Sequence, residues 1–363
     1  MTTEPQVVGE LSSRVTSYDR FVQSEGIPAY GTYSVQDLGG LKLAPWARKG
    51  GNGCFVNLIG AEQATDCYVC EIERGKSLKP EKHLFDELIL ILQGRGATSI
   101  WNEGGQPQTF EWQPGSLFAI PMNAWHQLFN GQGDSPARFV AVTNLPIVIN
   151  LYHTADFVFN NSYVFKDRYN NEQDYFSGQG KLYSLAGKST KSWETNFIPD
   201  VGAFKLYEVK ERGGGGRSIA FEMSNSTMAA HISEFAVGCY KKAHRHGPGA
   251  NVIIVHGEGY SVMWPEQGER VVVPWNSGSI FVPPGRWFHQ HFNTGPDPAR
   301  YVALKFTGSR KFPIGIKYLS SESARKGPDQ IEYEDEAPDI RSLYDKEMGK
   351  KGMKVNMPPV DRK

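Results

Sequence analysis

The chain has 363 residues, enough for two domains with separate cores, and its 39 Lys and Arg exactly offset 39 Asp and Glu. No net field therefore draws it to nucleic acid or to an anionic membrane, and no apolar run approaches the ~20 residues of a membrane span. Met1 to Glu10 has neither a basic start nor an apolar stretch of the secretory kind, so a cytoplasmic location is expected.

Residues 1–45 read as an N-terminal extension with weak periodicity. From 46 to 150 short β-rich runs separated by glycine and proline turns take over. Asp66 to Ile72 reads as a strand, which points Cys67 and Cys70 to opposite faces; no second pair completes a zinc site, so both thiols read as structural. Glu87 to Leu92 is nearly continuous aliphatic, Gly94-Arg95-Gly96 turns it into Ala97 to Trp101, and Trp112 to Ser116 is a turn leading into Leu117 to Ile120. A linker follows at 151–205, rich in Asn, Tyr, Phe, Asp and Ser, expected as an irregular bridge with some helix. Between 206 and 310 the β-rich succession returns, from Asn251 to Val255 through Gly257-Glu258-Gly259 to Tyr260 to Trp264, then Ile280 to Val282. Gly213 to Gly216 lacks the strand-to-helix context of a phosphate loop and reads as a turn. The tail, 311–363, is polar, carries acids from Glu332 to Glu336, and reads as a partly helical strap or a mobile end.

The two β-rich stretches are copies at an offset of 163 residues. Gly75, His83, Gly94 and Gly96 recur as Gly238, His246, Gly257 and Gly259. Trp101, Trp112, Gly115, Pro121, His126 and Asn130 recur as Trp264, Trp275, Gly278, Pro284, His289 and Asn293. A period of this length is a duplicated domain and not a solenoid unit of roughly 20–50 residues. The predicted fold class is all-β, as two tandem sandwiches or barrels with irregular and partly helical extensions.

Where the copies differ, chemistry is expected to differ. The first copy places Glu81, His83 and Glu87 upstream and His126 downstream; the second has His244, His246 and, in place of the glutamate, Ala250, with His289 and His291 downstream. Residues two apart on a strand share a face, so each pair can aim into one cavity. Three neutral imidazoles, from His244, His246 and His289, leave a divalent ion its full charge and open positions, which favours an anionic bidentate chelator and leaves room for O2. His291 faces the same cavity and is the candidate for acid–base work or for contact with a substrate carboxylate. Glu81, His83, Glu87 and His126 instead offer two carboxylates, suited to Mn, Fe(II) or Zn; Glu81 alternatively hydrogen-bonds His83 in a barrel without metal, or the carboxylates share acid–base work. Trp125, Trp287 and Phe288 line a pocket or pack at the rim, Arg245 points outward, and His231 and His256 read as structural or surface residues.

The spacing G-x5-H-x-H-x3-E-x6-G followed by G-x5-P-x-G-x2-H-x3-N, met twice with the departures Glu81, Asn123, Ala250 and the early Gly285, resembles the signature of the cupin superfamily. The resemblance covers about 50–145 and 210–305 and implies a bicupin, with barrels of the double-stranded β-helix type. The second copy, with Ala243-His244-Arg245-His246, Ala250 and Phe288-His289-Gln290-His291, resembles the three-histidine iron barrel of gentisate 1,2-dioxygenase-type bicupins, in which the metal barrel is generally the first.

The expected function is that of a non-haem Fe(II) dioxygenase cleaving a C–C bond in a small anionic aromatic or enolic substrate, with that substrate and O2 as its partners. Mn, Zn or Ni are the alternative metals, serving a redox-neutral isomerase, decarboxylase or lyase. A non-catalytic, ligand-binding cupin is the third class. Duplicated sheets leave edges that want covering, so a homo-oligomer is expected, with no nucleic-acid or membrane partner.

Overall fold

A computed structural model describes residues 15–61, 63–184, 189–247, 249–306, 309, 311 and 329–360. The expectations for Met1 to Glu10 and for the tail between 312 and 328 lie outside the described residues. Each copy forms a barrel of two facing sheets. In the first, Gly51–Val56, Asp66–Ile72, Ala137–Thr143, Glu87–Gln93 and Leu117–Ile120 lie side by side, opposite Trp125–Asn130, Gly96–Trp101 and Gln108–Trp112. In the second, Arg217–Glu222, Met228–Phe235, Ala299–Phe306, Asn251–His256 and Ile280–Phe281 repeat that order, opposite Val271–Trp275, Gly259–Trp264, Phe288–Asn293 and Ala243–His244. Among the described residues no helix is long and apolar enough to cross a membrane.

The continuous aliphatic run of Glu87–Gln93 follows from burial on both faces. Ile89 and Ile91 fill the first barrel, while Leu88 and Leu90 point the other way, into a layer shared with Val302 and Leu304 of the second. Cys67 faces that shared layer and Cys70 the barrel interior, opposite faces as expected; both are free thiols, and burial pushes Cys70 up to about 12. Two repeated glycines are required by close approach. A Cβ at Gly96 would lie 2.0 Å from the Phe129 carbonyl and 2.5 Å from the Trp112 indole; at Gly259 it would lie 1.9 Å from the Phe292 carbonyl and 2.6 Å from Trp275.

The duplication also reaches into the N-terminal extension and the linker, and there the chain crosses over. Ser34–Val35 pairs with Ile280–Phe281 of the second barrel, and its counterpart at the same offset, Phe197–Ile198, pairs with Leu117 and Phe118 of the first. Each crossing segment is fixed in the same way. The Gln36 carbonyl accepts from Ser279 Oγ (2.7 Å), as Pro199 does from Ser116 Oγ (2.8 Å). Leu38 N–H donates to the Gly278 carbonyl (3.0 Å), and Val201 N–H to that of Gly115 (2.9 Å). An arginine then holds the returning backbone: Arg138 reaches the Gly39 and Leu41 carbonyls while pairing with Glu71, and Arg300 reaches Val201, Gly202 and Phe204 while pairing with Glu234.

Helix Leu145–Tyr152 closes the first β-rich stretch and runs into the linker, which carries the helix Ala155–Asn160. The tail straps the second barrel: helix Pro338–Lys350 buries Ile340, Tyr344 and Met348 against Tyr240, Tyr260 and Phe292, and Tyr344 donates to the Asn293 carbonyl (2.6 Å). Its acids are not only a solvated cluster, since Glu336 accepts from Tyr240 (2.7 Å) and Gln290 (2.6 Å).

Helix Ser17–Glu25 docks on the first barrel through Tyr18, whose hydroxyl donates to Asp66 (3.3 Å) and Asn57 (2.9 Å). Asp66 is buried and also accepts from Thr143; burial pushes its carboxyl up from 3.8 to about 7. A raised native value favours the folded state only while the group stays protonated. Its contribution is complete below pH ~4 and is lost as pH rises to about 7. The stability gap between the native chain and Asp66→Asn should therefore shift by up to about 4 kcal/mol between pH 4 and 8, against the native chain, and stay level above. Urea unfolding at a series of pH values measures it, and a gap constant from pH 4 to 8 would refute the assignment.

Candidate metal centres

In the second barrel, strand pairing sets His244 directly across from His289. His246 lies two residues along on the same face, and one nitrogen from each of the three rings falls within 4.8 Å of the others. A carbonyl can only accept, so His289 Nδ1, 3.1 Å from the Trp287 carbonyl, carries the hydrogen, as does His244 Nδ1 against Lys242 (3.4 Å). That leaves Nε2 of each with its lone pair, the form a metal takes. Burial, then the neighbouring cations and rings, hold His244 and His246 well below the usual histidine range, and burial brings His289 to about 4, so the rings are neutral at pH 7. The three-imidazole set fits a divalent ion on this evidence. His246 is only half-buried, which opens the group to the outside.

In the first barrel Glu81 pairs with His126 where the second has His244 with His289. His83, Glu87 and His126 offer ligand atoms within 4.8 Å of one another, each residue about 1% exposed, with Phe85 stacked on His83 at 3.6 Å. His83 Nδ1 donates to the Phe85 carbonyl (2.9 Å), so its Nε2 presents a lone pair to Glu87 Oε2 3.2 Å away. Burial drives His83 down, so the ring is neutral; burial opposes ionisation of Glu87, but the nearby Lys49 cation helps hold it below the usual carboxylate range. Two acceptors then face each other, a juxtaposition that a shared cation satisfies. Glu81 differs from the other three. Its carboxylate is held by Lys49 and by Arg48 (2.5 Å), lies 3.5 Å from His126 Nε2, and despite burial stays well below the usual carboxylate range because of those two cations.

Position by position, the interiors diverge further. Leu78, Leu128, Cys70, Phe139 and Tyr68 of the first copy become Lys241, His291, Ser233, Tyr301 and His231, and Lys49 becomes Arg212. An apolar floor has been exchanged for a polar one. Lys241 is 3% exposed; its ammonium donates to Ser233 and lies 3.4 Å from the Tyr301 hydroxyl. His291 Nδ1 sits 2.8 Å from Ser261 Oγ, which accepts from the Trp275 indole (3.0 Å). His231, read as structural or surface, lies on the inner face: register aligns it with Ala303, two residues before the Ser233–Tyr301 pair, and its ring lies 5.8 Å from Tyr301. Arg212, Lys241 and Tyr301 were missed. Lone basic or aromatic residues on strands carry no motif, and only the offset comparison picks them out.

The remaining candidates are placed at the edges. Arg245 turns away from the histidines toward Asp329 (3.2 Å) and the Phe288 ring. Trp125 stacks on Trp101 and Phe288 on Trp264, which is rim packing. The glycine of the downstream motif is replaced by left-handed residues at the same place in both copies, Asn123 (φ 59°) and Arg286 (φ 69°), not by the early Gly285.

No known family profile and no curated protein matches the sequence. Solved structures do. Oxalate decarboxylase of Lactobacillus farciminis, as a formate complex, is 14% identical with a TM-score of 0.52, over 79% of this chain and 88% of that one. An oxalate decarboxylase structure addressing substrate binding mode and a reaction-specificity switch is 13% identical at 0.51, over 79% of each chain. A structure concerned with the Mn(II) centres of the Bacillus subtilis enzyme is 13% identical at 0.50, again over 79% of each. At such identities the likeness speaks to architecture. Two tandem barrels, each with its histidines at matching register, give this chain the bicupin fold.

Proposed function

We propose that this bicupin is a metal-dependent enzyme whose second barrel acts on a small organic anion, and that it is an Fe(II) dioxygenase cleaving a C–C bond of an anionic aromatic or enolic substrate. One observation carries the reading: a three-imidazole group without a carboxylate opens onto an interior that also holds Lys241, Tyr301 and His291. His244, His246 and His289 would hold the metal, and Fe(II) there would supply a Lewis-acid anchor for two substrate oxygens and the one-electron chemistry that O2 requires. The chain's own residues do the rest. Ser261 Oγ, already accepting from Trp275, has its hydrogen free for His291 Nδ1. His291 Nε2 then carries a hydrogen and serves as donor to a substrate oxygen or carboxylate. Buried Lys241 draws negative charge inward, and the apolar walls of Phe281 and Phe235 around this floor exclude water.

A second reading is favoured by the structural neighbours, which are oxalate decarboxylases. A redox-neutral decarboxylase on the same residues would take Mn, Zn or Ni as readily, since imidazole ligands do not name the metal. Metal analysis of the purified protein, with O2 uptake and CO2 release followed across hydroxy acids, catechols and diketones, separates the readings. Stoichiometric O2 consumption is the expected result. Turnover undiminished under argon, with CO2 released, sinks the dioxygenase and supports the decarboxylase; no stoichiometric metal and no turnover sink both in favour of a ligand-binding cupin.

A further inference from the structure

The charge balance of the two barrels is opposite. In the first, Arg48 and Lys49 are matched by Glu81 and Glu87 before any metal is counted, and both cations touch Glu81 directly. In the second, Ala250 has replaced the glutamate, and no carboxylate among the described residues pairs with Lys241. Among the described residues the Lys241 ammonium meets the hydroxyls of Ser233 and Tyr301 and the rings of Phe235 (5.2 Å) and Tyr301 (5.0 Å). Arg212 donates to the neutral amide of Gln330 (3.0 Å). Lys241 is joined to the histidine group through its neighbours: its backbone N–H donates to the His291 carbonyl (3.1 Å), and the Tyr301 ring it touches lies 5.4 Å from His291, itself 5.6 Å from His289.

A buried cation without a counter-charge is costly, and a dication in the same low-dielectric barrel raises that cost further. An anion lying between them removes both penalties at once. We propose that the second barrel takes up its metal and a small carboxylate anion cooperatively, with Lys241 as the coupling residue, whereas metal in the first barrel binds independently of anions. The inference rests on the metal-site reading above and adds to it that neither ligand is held well alone. Coupling of this kind is reciprocal, so metal raises the affinity for the anion by the factor by which the anion raises the affinity for metal.

The test titrates chelator-treated protein with Mn(II), following the free ion by electron paramagnetic resonance, with and without saturating formate. His246→Ala identifies which binding step belongs to the second barrel. Formate should tighten that step at least about tenfold and leave the first-barrel step unchanged. Calorimetry should return the same factor for formate binding with and without Mn(II). In Lys241→Met the gain should fall below about twofold, while Mn(II) alone binds more tightly because a repelling charge is gone. Lys241→Arg, which keeps the charge, should keep the coupling, and an unaltered near-ultraviolet circular dichroism spectrum shows that each variant is folded. Equal Mn(II) affinity with and without formate overturns the inference while leaving the metal site standing, and so does full coupling in folded Lys241→Met. If His246→Ala removes no binding step, the metal-site reading and the inference fall together.

Discussion

Arg300→Ala should destabilise the fold by about 3–5 kcal/mol, the range found when one partner of a buried ion pair is removed. The side chain is 8% exposed and does two things at once. Its Nε and Nη2 hold Glu234 at 2.9 and 2.7 Å, and its Nη1 collects the carbonyls of Val201 (3.2 Å), Gly202 and Phe204 (3.4 Å). Truncation leaves a carboxylate only 13% exposed with no closer cation than the exposed Arg217, 3.8 Å away, and it leaves the crossing segment's carbonyls without their donor. Arg138→Ala makes the same cut in the other barrel and should cost less, about 2 kcal/mol, since the Gly39 contact is already exposed to solvent. Because each crossing strand belongs by sequence to one barrel and by pairing to the other, the barrels should lose structure together in either variant. Urea unfolding followed by tryptophan fluorescence should show one transition displaced to lower denaturant; a loss under about 1 kcal/mol, or two separated transitions, would contradict the clamp.

The crossing was written in the sequence but in a form easily passed over. Asp37-Leu38-Gly39 stands 163 residues before Asp200-Val201-Gly202, and in both copies the aspartate side chain accepts from the glycine N–H (2.8 and 2.6 Å). Three residues of moderate likeness do not announce a repeat by themselves, and nothing local says that Ser34–Val35 pairs with Ile280–Phe281 of the other barrel. The barrels themselves were legible because their glycines and tryptophans are fixed by contact: Gly259 must let the Phe292 carbonyl and the Trp275 ring approach, as Gly96 does for Phe129 and Trp112. The histidine sets were legible for a similar reason, since metal-ligand spacing on a strand is a parity rule. Lys241, Tyr301 and His231 were not, because each looks like an ordinary strand residue until it is laid over Leu78, Phe139 and Tyr68. Glu81 is the intermediate case. Its position was found from spacing, but its hold by Arg48 and Lys49 depends on a turn after Ala44–Trp46 that no motif marks.

The sharpest functional contrast is expected between His246→Ala and His83→Ala. If the reaction runs in the second barrel, His246→Ala should lower turnover at least about 10³-fold, some 4 kcal/mol of lost transition-state stabilisation, together with one metal equivalent. His246 is the half-buried member of its set, so alanine there removes a ligand at the mouth without opening the core, and stability should change little. His83 is the opposite. At 1% exposure, stacked on Phe85 and facing Glu87, it is part of the packing. Alanine there leaves a cavity beside the buried Glu87, a loss of about 2–4 kcal/mol, while turnover per folded molecule stays within a few-fold of the native chain. Measuring kcat, metal content and the urea midpoint on both variants gives a crossed pattern if the copies have divided their labour as proposed. A fall in kcat confined to His83→Ala would move the reaction to the sealed barrel, and equal falls in both would mean that the two metal sites act as one.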